Sequence, residues 1–179
     1  MNVGFQIDEI HQLNPKTDST LPLILESQKR GNNNFVYIPS SLTFKNDDVY
    51  ATVQQINFKT NNLYSYKLGN VKTTKLSKFQ LVFIRQDPPY NMRYLSSLHL
   101  LEQVKSNIRF INHPSGIRNA PEKISMLKYQ KITPPTIITR SKQEVDDFMI
   151  KNKKSIIKPL YGNGGESVFL LKRNDKNYN

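Results

Sequence analysis

The chain has 179 residues, a formal net charge of +12 and no cysteine. This length allows one complete domain, or one domain and part of a second. The lack of cysteine excludes disulfides, thiolate metal sites and cysteine nucleophiles, and no apolar run approaches the roughly 20 residues that span a bilayer. We therefore expect a cytoplasmic protein with no membrane partner.

The positive charge has two interpretations. It favours polyanionic partners such as nucleic acid, ATP or acidic peptides, or it reflects lysine-rich and asparagine-rich usage over a solvated surface. The lysines are scattered along the chain, and the longest basic cluster, 151–154, ends a predicted helix. No nucleic-acid-binding signature occurs, so we do not expect nucleic acid as a partner.

The first forty residues predict a βαβ unit. Apolar residues alternate over 3–7, a helical period follows over 21–28, and a second strand covers 35–38. Gly31 is suited to the position just after a helix. Strands joined by a helix favour a parallel sheet. The Asn-rich and Lys-rich segment 41–79 predicts β-hairpins or an excursion at the sheet edge instead.

Regular elements return at residue 81, where the apolar run 81–84 is typical of a strand buried on both faces. Asn91 can cap a helix. The apolar face of that helix would carry Leu95, Leu98, Leu101 and Val104. Residues 108–111 predict a further strand. We place a domain boundary near Gly116, which gives domains at 1–116 and 117–179.

Beyond this boundary the sequence predicts a helix over 122–129 and a strand over 136–139. Ser141 and Glu144 form an S-x-x-E capping box for a helix that ends near residue 152. Two more strands, at 155–160 and 167–171, flank a glycine-rich loop. The polar residues after 171 look like a frayed end.

The strongest local signal is this loop, KPLYGNGGES, which begins at Lys158. Glycines let backbone N–H groups approach a polyphosphate closely, and the lysine adds a point charge. The loop lacks the G-x-x-x-x-G-K-[ST] pattern and leads into a strand, which excludes a P-loop. Taken alone, the loop is better explained as a plain hairpin turn with an incidental lysine.

Three segments resemble prokaryotic glutathione synthetases, which are ATP-grasp ligases. KPLYGNGGESVF at 158–169 is similar to the family's KPLDGMGGxSIF, and FIRQDPPYN at 83–91 to its MRKDPPFD. The opening IDEI, followed by Asn14 and KTDST, is similar to its DPI…N…KDSS. Shorter matches follow the family's order and spacing. Tyr161 stands where the family has Asp, and Asn163 where it has Met.

The resemblance implies ATP-dependent and Mg²⁺-dependent ligation of γ-glutamylcysteine to glycine through an acyl phosphate. It implies an α/β fold, with a parallel-sheet substrate domain of pre-ATP-grasp type followed by an incomplete ATP-grasp lid subdomain. By resemblance, the ATP-binding residues are Lys123, Lys158, Gly162, Asn163, Gly164, Gly165 and Ser167. The dipeptide-binding residues are Asp18, Ser19, Arg85 and Asp87.

The resemblance covers nearly all of this chain but only a little more than half of the family's usual length. The magnesium ligands, the arginine expected to steady the acyl phosphate and one wall of the ATP cleft belong to the remaining part. No metal ligand is therefore assigned here, and the catalytic residues stay unassigned. We expect the chain alone to lack ligase activity.

Other interpretations stay open. A non-catalytic remnant or interaction domain would keep the fold and a homo-oligomeric contact without the chemistry, and nucleic-acid binding would rest on charge alone. Arg85 and Asp87 could simply pair with each other, Lys123 could be an exposed helix lysine, and Asp8 could cap a turn. His11, His99 and His113 have no ligand-like spacing and are expected to be structural or exposed.

Overall fold

The computed structural model describes residues 1–105, 107–162 and 164–172. The chain divides into two compact units. The first unit comprises Met1–Asp87 and Met92–Asn119, and the second comprises Pro88–Asn91 and Ala120–Asn179. Most of the predicted frayed end lies outside the described residues.

The first unit is built on a mixed eight-stranded sheet. Its strands are β1 (Asn2–Gln6), β2 (Asn33–Tyr37), β3 (Thr43–Lys45), β4 (Asp48–Phe58), β5 (Tyr66–Leu68), β6 (Lys72–Lys75), β7 (Leu81–Ile84) and β8 (Arg109–Ile111). Its helices are α1 (Thr20–Lys29), α2 (Met92–Leu101) and α3 (Pro114–Asn119), and 3-10 turns cover Ile10–Gln12, Pro39–Ser41 and Leu76–Lys78. Gly116 lies within α3.

Four strands of this sheet run parallel, in the order β2-β1-β7-β8. The predicted βαβ unit is confirmed, because β1 and β2 pair in parallel and α1 connects them. Gly31, at φ +77°, follows the end of α1 as expected. Strand β1 lies between β2 and β7, and its residues 3–6, which alternate between the two faces of the sheet, are all buried. Both faces of the sheet are therefore covered at β1.

The segment 41–79 adds the antiparallel half of the sheet, which confirms the predicted hairpins at its edge. Strand β4 has 11 residues and pairs with four neighbours. Its first half pairs with β3 and β6, and its second half pairs with β2 and β5. One long strand thus joins two sets of short strands, and the sheet curls there.

One face of the sheet carries the main hydrophobic cluster, where α1 packs. The buried members are Val3, Phe5, Ile7, Leu21, Ile24, Leu25, Val36, Ile56 and Phe58. The Phe5 ring stacks on the Phe83 ring with centroids 5.0 Å apart and planes 8° apart. This contact ties the two central parallel strands together through their side chains as well as their backbones.

Gly4 marks a close approach on the other face of β1. A Cβ atom at this position would lie 3.0 Å from Val82 Cγ2 and 3.5 Å from side-chain atoms of Phe79 and Tyr37. We predict that Gly4→Ala lowers the free energy of unfolding by about 1–3 kcal/mol, because buried neighbours must shift. Urea unfolding measures this, with Gly69→Ala as the control, since its Cβ meets only ordinary 3.5 Å contacts. Equal effects of both changes would contradict the prediction.

The helix predicted over 91–104 ends earlier, at Leu101. The N–H groups of Gln103 and Val104 donate to the carbonyls of Leu100 and Leu101, which is the i+3 pattern of a tightened last turn. Val104 therefore lies outside the helix. Leu98 and Leu101 occupy the buried face as the periodicity predicts.

The second unit contains two helices and a hairpin in the described residues. These are α4 (Glu122–Ser125), continued by a 3-10 turn at Met126–Tyr129, then α5 (Lys142–Asn152), β9 (Lys154–Ile157) and β10 (Phe169–Lys172). Strands β9 and β10 pair antiparallel. The predicted start of α5 is confirmed, because Ser141 Oγ accepts a hydrogen bond from the Glu144 N–H.

The strand predicted over 136–139 is wrong. Ile137 and Ile138 are 39% and 44% exposed, and no strand among the described residues pairs with this segment. A β-strand needs a neighbour to satisfy its backbone groups, so apolar residues alone do not form one. Strand β9 also ends three residues before predicted, which leaves Lys158 just beyond it. None of the helices in the described ranges has the length and apolar character that a membrane crossing requires.

Candidate functional site

One candidate site lies at the carboxyl ends of β1 and β7. Because these parallel strands are neighbours, the residues after Gln6 and Ile84 emerge at the same edge of the sheet. The Arg85 N–H donates to the Gln6 carbonyl at 2.7 Å, and the Asp87 N–H donates to Asp8 Oδ2 at 2.7 Å. Asp8 therefore joins the two chain segments at this edge, a role beyond the turn cap considered from the sequence.

The Arg85 guanidinium reaches the start of α1. Its Nη2 donates to Ser19 Oγ at 2.7 Å, and its Nε donates to Thr20 Oγ1 at 3.2 Å. Asp18 caps the helix, since its Oδ1 accepts the N–H groups of Thr20 at 2.6 Å and Leu21 at 3.1 Å. Both partners of Arg85 are neutral hydroxyls, so its positive charge is not neutralised by these contacts.

The four dipeptide candidates thus lie in one region, and Thr20 is a member that sequence reasoning missed. Arg85 is hydrogen-bonded to Ser19 and Thr20, whereas the alternative considered from the sequence was a pair with Asp87. The pKa of Asp87 is raised, first by partial burial and then by the negative charges of Asp8 and Asp18, while Arg85 opposes the shift. The region therefore combines one arginine with three carboxylates.

The raised pKa of Asp87 gives a pH-dependent prediction. The folded state holds the Asp87 proton more tightly than the unfolded state does. Stability is therefore lost as pH rises from the ordinary value of 3.8 through the raised folded pKa. We expect Asp87→Asn to gain stability relative to the parent chain between pH 3 and pH 7. Urea midpoints across this range measure it, with Glu9→Gln as an exposed control. A difference independent of pH would contradict it.

A buried polar network supports this edge from inside the sheet. The Gln6 side-chain amide donates to Gln86 Oε1, and Gln86 in turn lies 3.4 Å from Ser97 Oγ on α2. Gln6 and Gln86 are 0% and 8% exposed. Polar groups this deeply buried are stabilised only when they are hydrogen-bonded. The network holds the Gln86 side chain in place, and Arg85 and Asp87 are its immediate neighbours in the chain. The alternation of apolar residues in the sequence gave no sign of this network.

The second candidate site is the glycine-rich turn between β9 and β10, defined here by the described residues 158–162 and 164–167. Lys158 directly follows β9 and is exposed. Gly164 and Gly165 have φ values of +61° and +78°, and a Cβ atom on either would meet nothing within 4 Å. The turn therefore requires glycine for its backbone conformation, and its backbone there stays open to a ligand. Ser167 also has a positive φ, +55°.

Lys123 lies against this turn, although 39 residues separate it from Gly162. Its Nζ donates to the Gly162 carbonyl oxygen at 2.5 Å in a partly buried contact. Lys123 is therefore more than an exposed helix lysine, the alternative considered from the sequence. Asn163, which the sequence also assigns to this turn, lies outside the described residues.

Sequence reasoning missed one contact of the turn. The Tyr161 ring stacks on the Tyr90 ring, with centroids 6.1 Å apart and planes 26° apart. The available signal was that two separate motifs, DPPY and KPLY, each end in tyrosine. In the ranges that the structure describes, no group of three or more His, Cys, Asp or Glu side chains could hold a metal ion.

Comparison with known proteins matches both parts of the chain to one family. Residues 1–118 match the family model described as prokaryotic glutathione synthetase, N-terminal domain. Residues 122–179 match the model described as prokaryotic glutathione synthetase, ATP-grasp domain. The two matches together account for nearly the whole chain.

Curated relatives named glutathione synthetase align along the same length. The protein from Bradyrhizobium diazoefficiens is 36% identical over 178 residues, which is 99% of this chain and 57% of that protein. The protein from Brucella melitensis is 38% identical over 177 residues, with the same two shares. This chain therefore spans a little over half the length of these relatives.

A solved structure supports the fold. The ATP-grasp ligase PsnB, complexed with a minimal precursor, aligns over 99% of this chain and 58% of its own, with a TM-score of 0.51 and 15% sequence identity. At this identity the likeness concerns the fold alone, which is α/β with the ATP-grasp domain covered in part. Taken with the two family models, these findings show that the chain belongs to the prokaryotic glutathione synthetase family.

Proposed function

We propose that this chain supplies the substrate-binding and phosphate-binding half of a glutathione synthetase. The reaction would be the ATP-dependent ligation of γ-glutamylcysteine to glycine. The observation that carries the proposal is the open turn at Gly164 and Gly165, with Lys158 exposed at its start and Lys123 bonded to its Gly162 carbonyl. The chain alone would not complete the reaction.

The turn fits the phosphates of a nucleotide. Two ammonium groups offset the charge of the polyphosphate, and the backbone N–H groups of consecutive left-handed glycines can form an anion-binding nest. Lys123 would hold the first part of the turn in place, and Lys158 would contact the phosphate oxygens. Ser167, at the far end of the turn, would add a hydroxyl donor.

Magnesium has no site among the residues that the structure describes, since no cluster of three metal-binding side chains occurs there. The family's ATP-grasp domain implies that ATP and Mg²⁺ are used. We propose that the metal ligands come from the part of the relatives that this chain does not span.

Arg85 is the group best suited to a carboxylate of the dipeptide. It has five N–H donors, and Ser19 and Thr20 use two of them. The remaining donors can bind a carboxylate in a bidentate manner. Asp18 would act indirectly, because its carboxylate already caps α1 and thereby positions Ser19. Asp87 would accept hydrogen bonds from the dipeptide's amino or amide groups.

The chemistry has two substitutions. A carboxylate oxygen of the dipeptide's cysteine attacks the γ-phosphorus of ATP, the bond to ADP breaks, and an acyl phosphate forms. The glycine amine then attacks the acyl carbon, a C–N bond forms, and phosphate leaves as the amine loses a proton. Both steps need charge neutralisation at the phosphates and exclusion of water from the acyl phosphate.

Calorimetric titration of ATP–Mg²⁺ tests the proposal. The chain is titrated alone and after mixing with the part of the Brucella melitensis relative that it does not span. We expect weak binding to the chain alone, tight binding to the mixture, and ADP release only when both γ-glutamylcysteine and glycine are present. Equally tight binding to the chain alone would contradict the proposal. A folded mixture that binds ATP without turnover would favour the alternative, a non-catalytic domain of the same fold.

A further inference from the structure

Two tyrosines form a stacked pair at the entrance of the glycine-rich turn. Their ring centroids lie 6.1 Å apart with an interplanar angle of 26°, within the range of favourable aromatic pairs. Both belong to the second unit, which includes Pro88–Asn91. Tyr161 immediately precedes Gly162 and remains 50% exposed. The stack therefore lies on the surface, beside the residues proposed to bind phosphate.

At position 161 this chain differs from the family segment that it resembles. The matching family segments read DPPF where this chain has DPPY, and KPLD where it has KPLY. An aspartate at position 161 would carry a negative charge and could not stack on the ring at position 90. Compared with an aspartate, Tyr161 therefore carries no negative charge within the glycine-rich turn and adds an aromatic contact.

The contacts of the turn are concentrated at its start. The Gly162 carbonyl is bonded to Lys123 Nζ, and a Cβ atom on Gly162 would lie 3.2 Å from Pro159 Cβ, so the backbone packs closely there. Gly164 and Gly165, by contrast, have nothing within 4 Å of a Cβ position. The turn is thus held at its entrance and open at its far side, and the Tyr161 ring is part of what holds it.

We propose that Tyr161 is a positioning residue, whose stack on Tyr90 fixes the entrance of the turn, residues 160–162, so that Gly164 and Gly165 face the phosphates. What the turn binds rests on the proposed function, but the positioning itself does not. An exposed aromatic pair shifts the balance between held and released arrangements by roughly 2- to 13-fold. Two contacts then hold this short segment: the hydrogen bond from Lys123 to the Gly162 carbonyl and the stack of Tyr161 on Tyr90.

Nuclear magnetic resonance of the free chain tests this directly. In the parent chain we expect nuclear Overhauser contacts between the two tyrosine rings and an order parameter of about 0.85 for the Gly162 amide. Tyr161→Ala and Tyr90→Ala should each lower that order parameter, toward about 0.6 or below. The double variant should lower it no further, because both changes remove one contact.

Three further variants separate positioning from general packing. Tyr161→Phe keeps the ring and should restore the parent order parameter, whereas Tyr161→Asp, the family's residue, should behave like Tyr161→Ala. Tyr129→Ala removes another exposed tyrosine of the second unit, 61% exposed, and should change nothing at Gly162. Additive effects of the Tyr90 and Tyr161 changes, or an order parameter unaffected by either, would overturn the proposal.

Failure of the positioning role of Tyr161 can be told apart from failure of the proposed function. If ATP–Mg²⁺ fails to bind even in the mixture, the assignment to phosphate binding fails, while the ring contacts and order parameters still decide whether Tyr161 positions the turn. If ATP binds but Tyr161→Ala leaves Gly162 as ordered as in the parent chain, the function stands and the positioning role is wrong.

Discussion

Replacing Phe5 by alanine is expected to lower the free energy of unfolding of the first unit by about 3–5 kcal/mol. Phe5 is 0% exposed and lies on β1, the strand between β2 and β7. Its ring stacks on Phe83 and belongs to the main hydrophobic cluster. The change removes that contact and leaves a cavity that the hydrogen-bonded strands on both sides cannot collapse to fill.

Denaturant unfolding followed by circular dichroism measures this effect. The matched control is Phe44→Ala on β3, where the side chain is 47% exposed and the expected change is within about 0.5 kcal/mol. If Phe5→Ala leaves no folded protein, Phe5→Leu serves in its place, with a smaller loss of the same sign. Equal losses at Phe5 and Phe44 would show that the cluster does not carry the stability of the sheet.

Replacing Lys158 by alanine is expected to weaken ATP–Mg²⁺ binding by roughly 10- to 150-fold in the mixture that contains the rest of a relative. The estimate corresponds to one charge-assisted hydrogen bond of about 1.5–3 kcal/mol to a phosphate. Lys158 is exposed directly after β9, at the start of the open turn. Calorimetric titration of the variant mixture measures the loss.

Lys154→Ala is the matched control for this change. Lys154 is exposed at the first position of β9 and carries the same charge as Lys158. It lies at the end of β9 that is farther from the turn. We expect a less than about 3-fold effect on binding, since an exposed charge acts only weakly at a distance. Equal effects at the two lysines would mean that overall charge attracts the nucleotide and that Lys158 makes no specific contact.

The secondary-structure elements that could be predicted are those whose sequence pattern lies within a short stretch of consecutive residues. The βαβ start follows from alternation over 3–7, a helical period over 21–28 and a glycine after it, and these elements formed as expected. The segment 136–139 failed because a strand depends on a partner elsewhere, which its own apolar residues cannot specify. The end of α2 failed by three residues because a tightened last turn leaves no mark in the spacing of leucines.

For the candidate sites, the residues could be assigned from the sequence, but most of their contacts could not. The family resemblance assigned Lys123 and Lys158 to the phosphates of ATP, and it assigned Arg85, Asp18 and Ser19 to the dipeptide. The sequence could not show that Arg85 uses neutral hydroxyls as partners or that Asp8 accepts the Asp87 N–H. Nor could it show that Tyr161 stacks on Tyr90. These contacts depend on side-chain directions that only the assembled sheet and turn determine.

A titration of the ¹⁵N-labelled chain with ATP–Mg²⁺ tests the central claim most directly, since amide shifts report a weak complex residue by residue. Nucleotide phosphates held by the glycine-rich turn should move the amide signals of Lys158, Gly164 and Gly165 first and farthest. Tripolyphosphate should move the same signals. Shifts confined to scattered surface lysines such as Lys72 and Lys78, with the turn unchanged, would contradict the assignment of this turn to ATP.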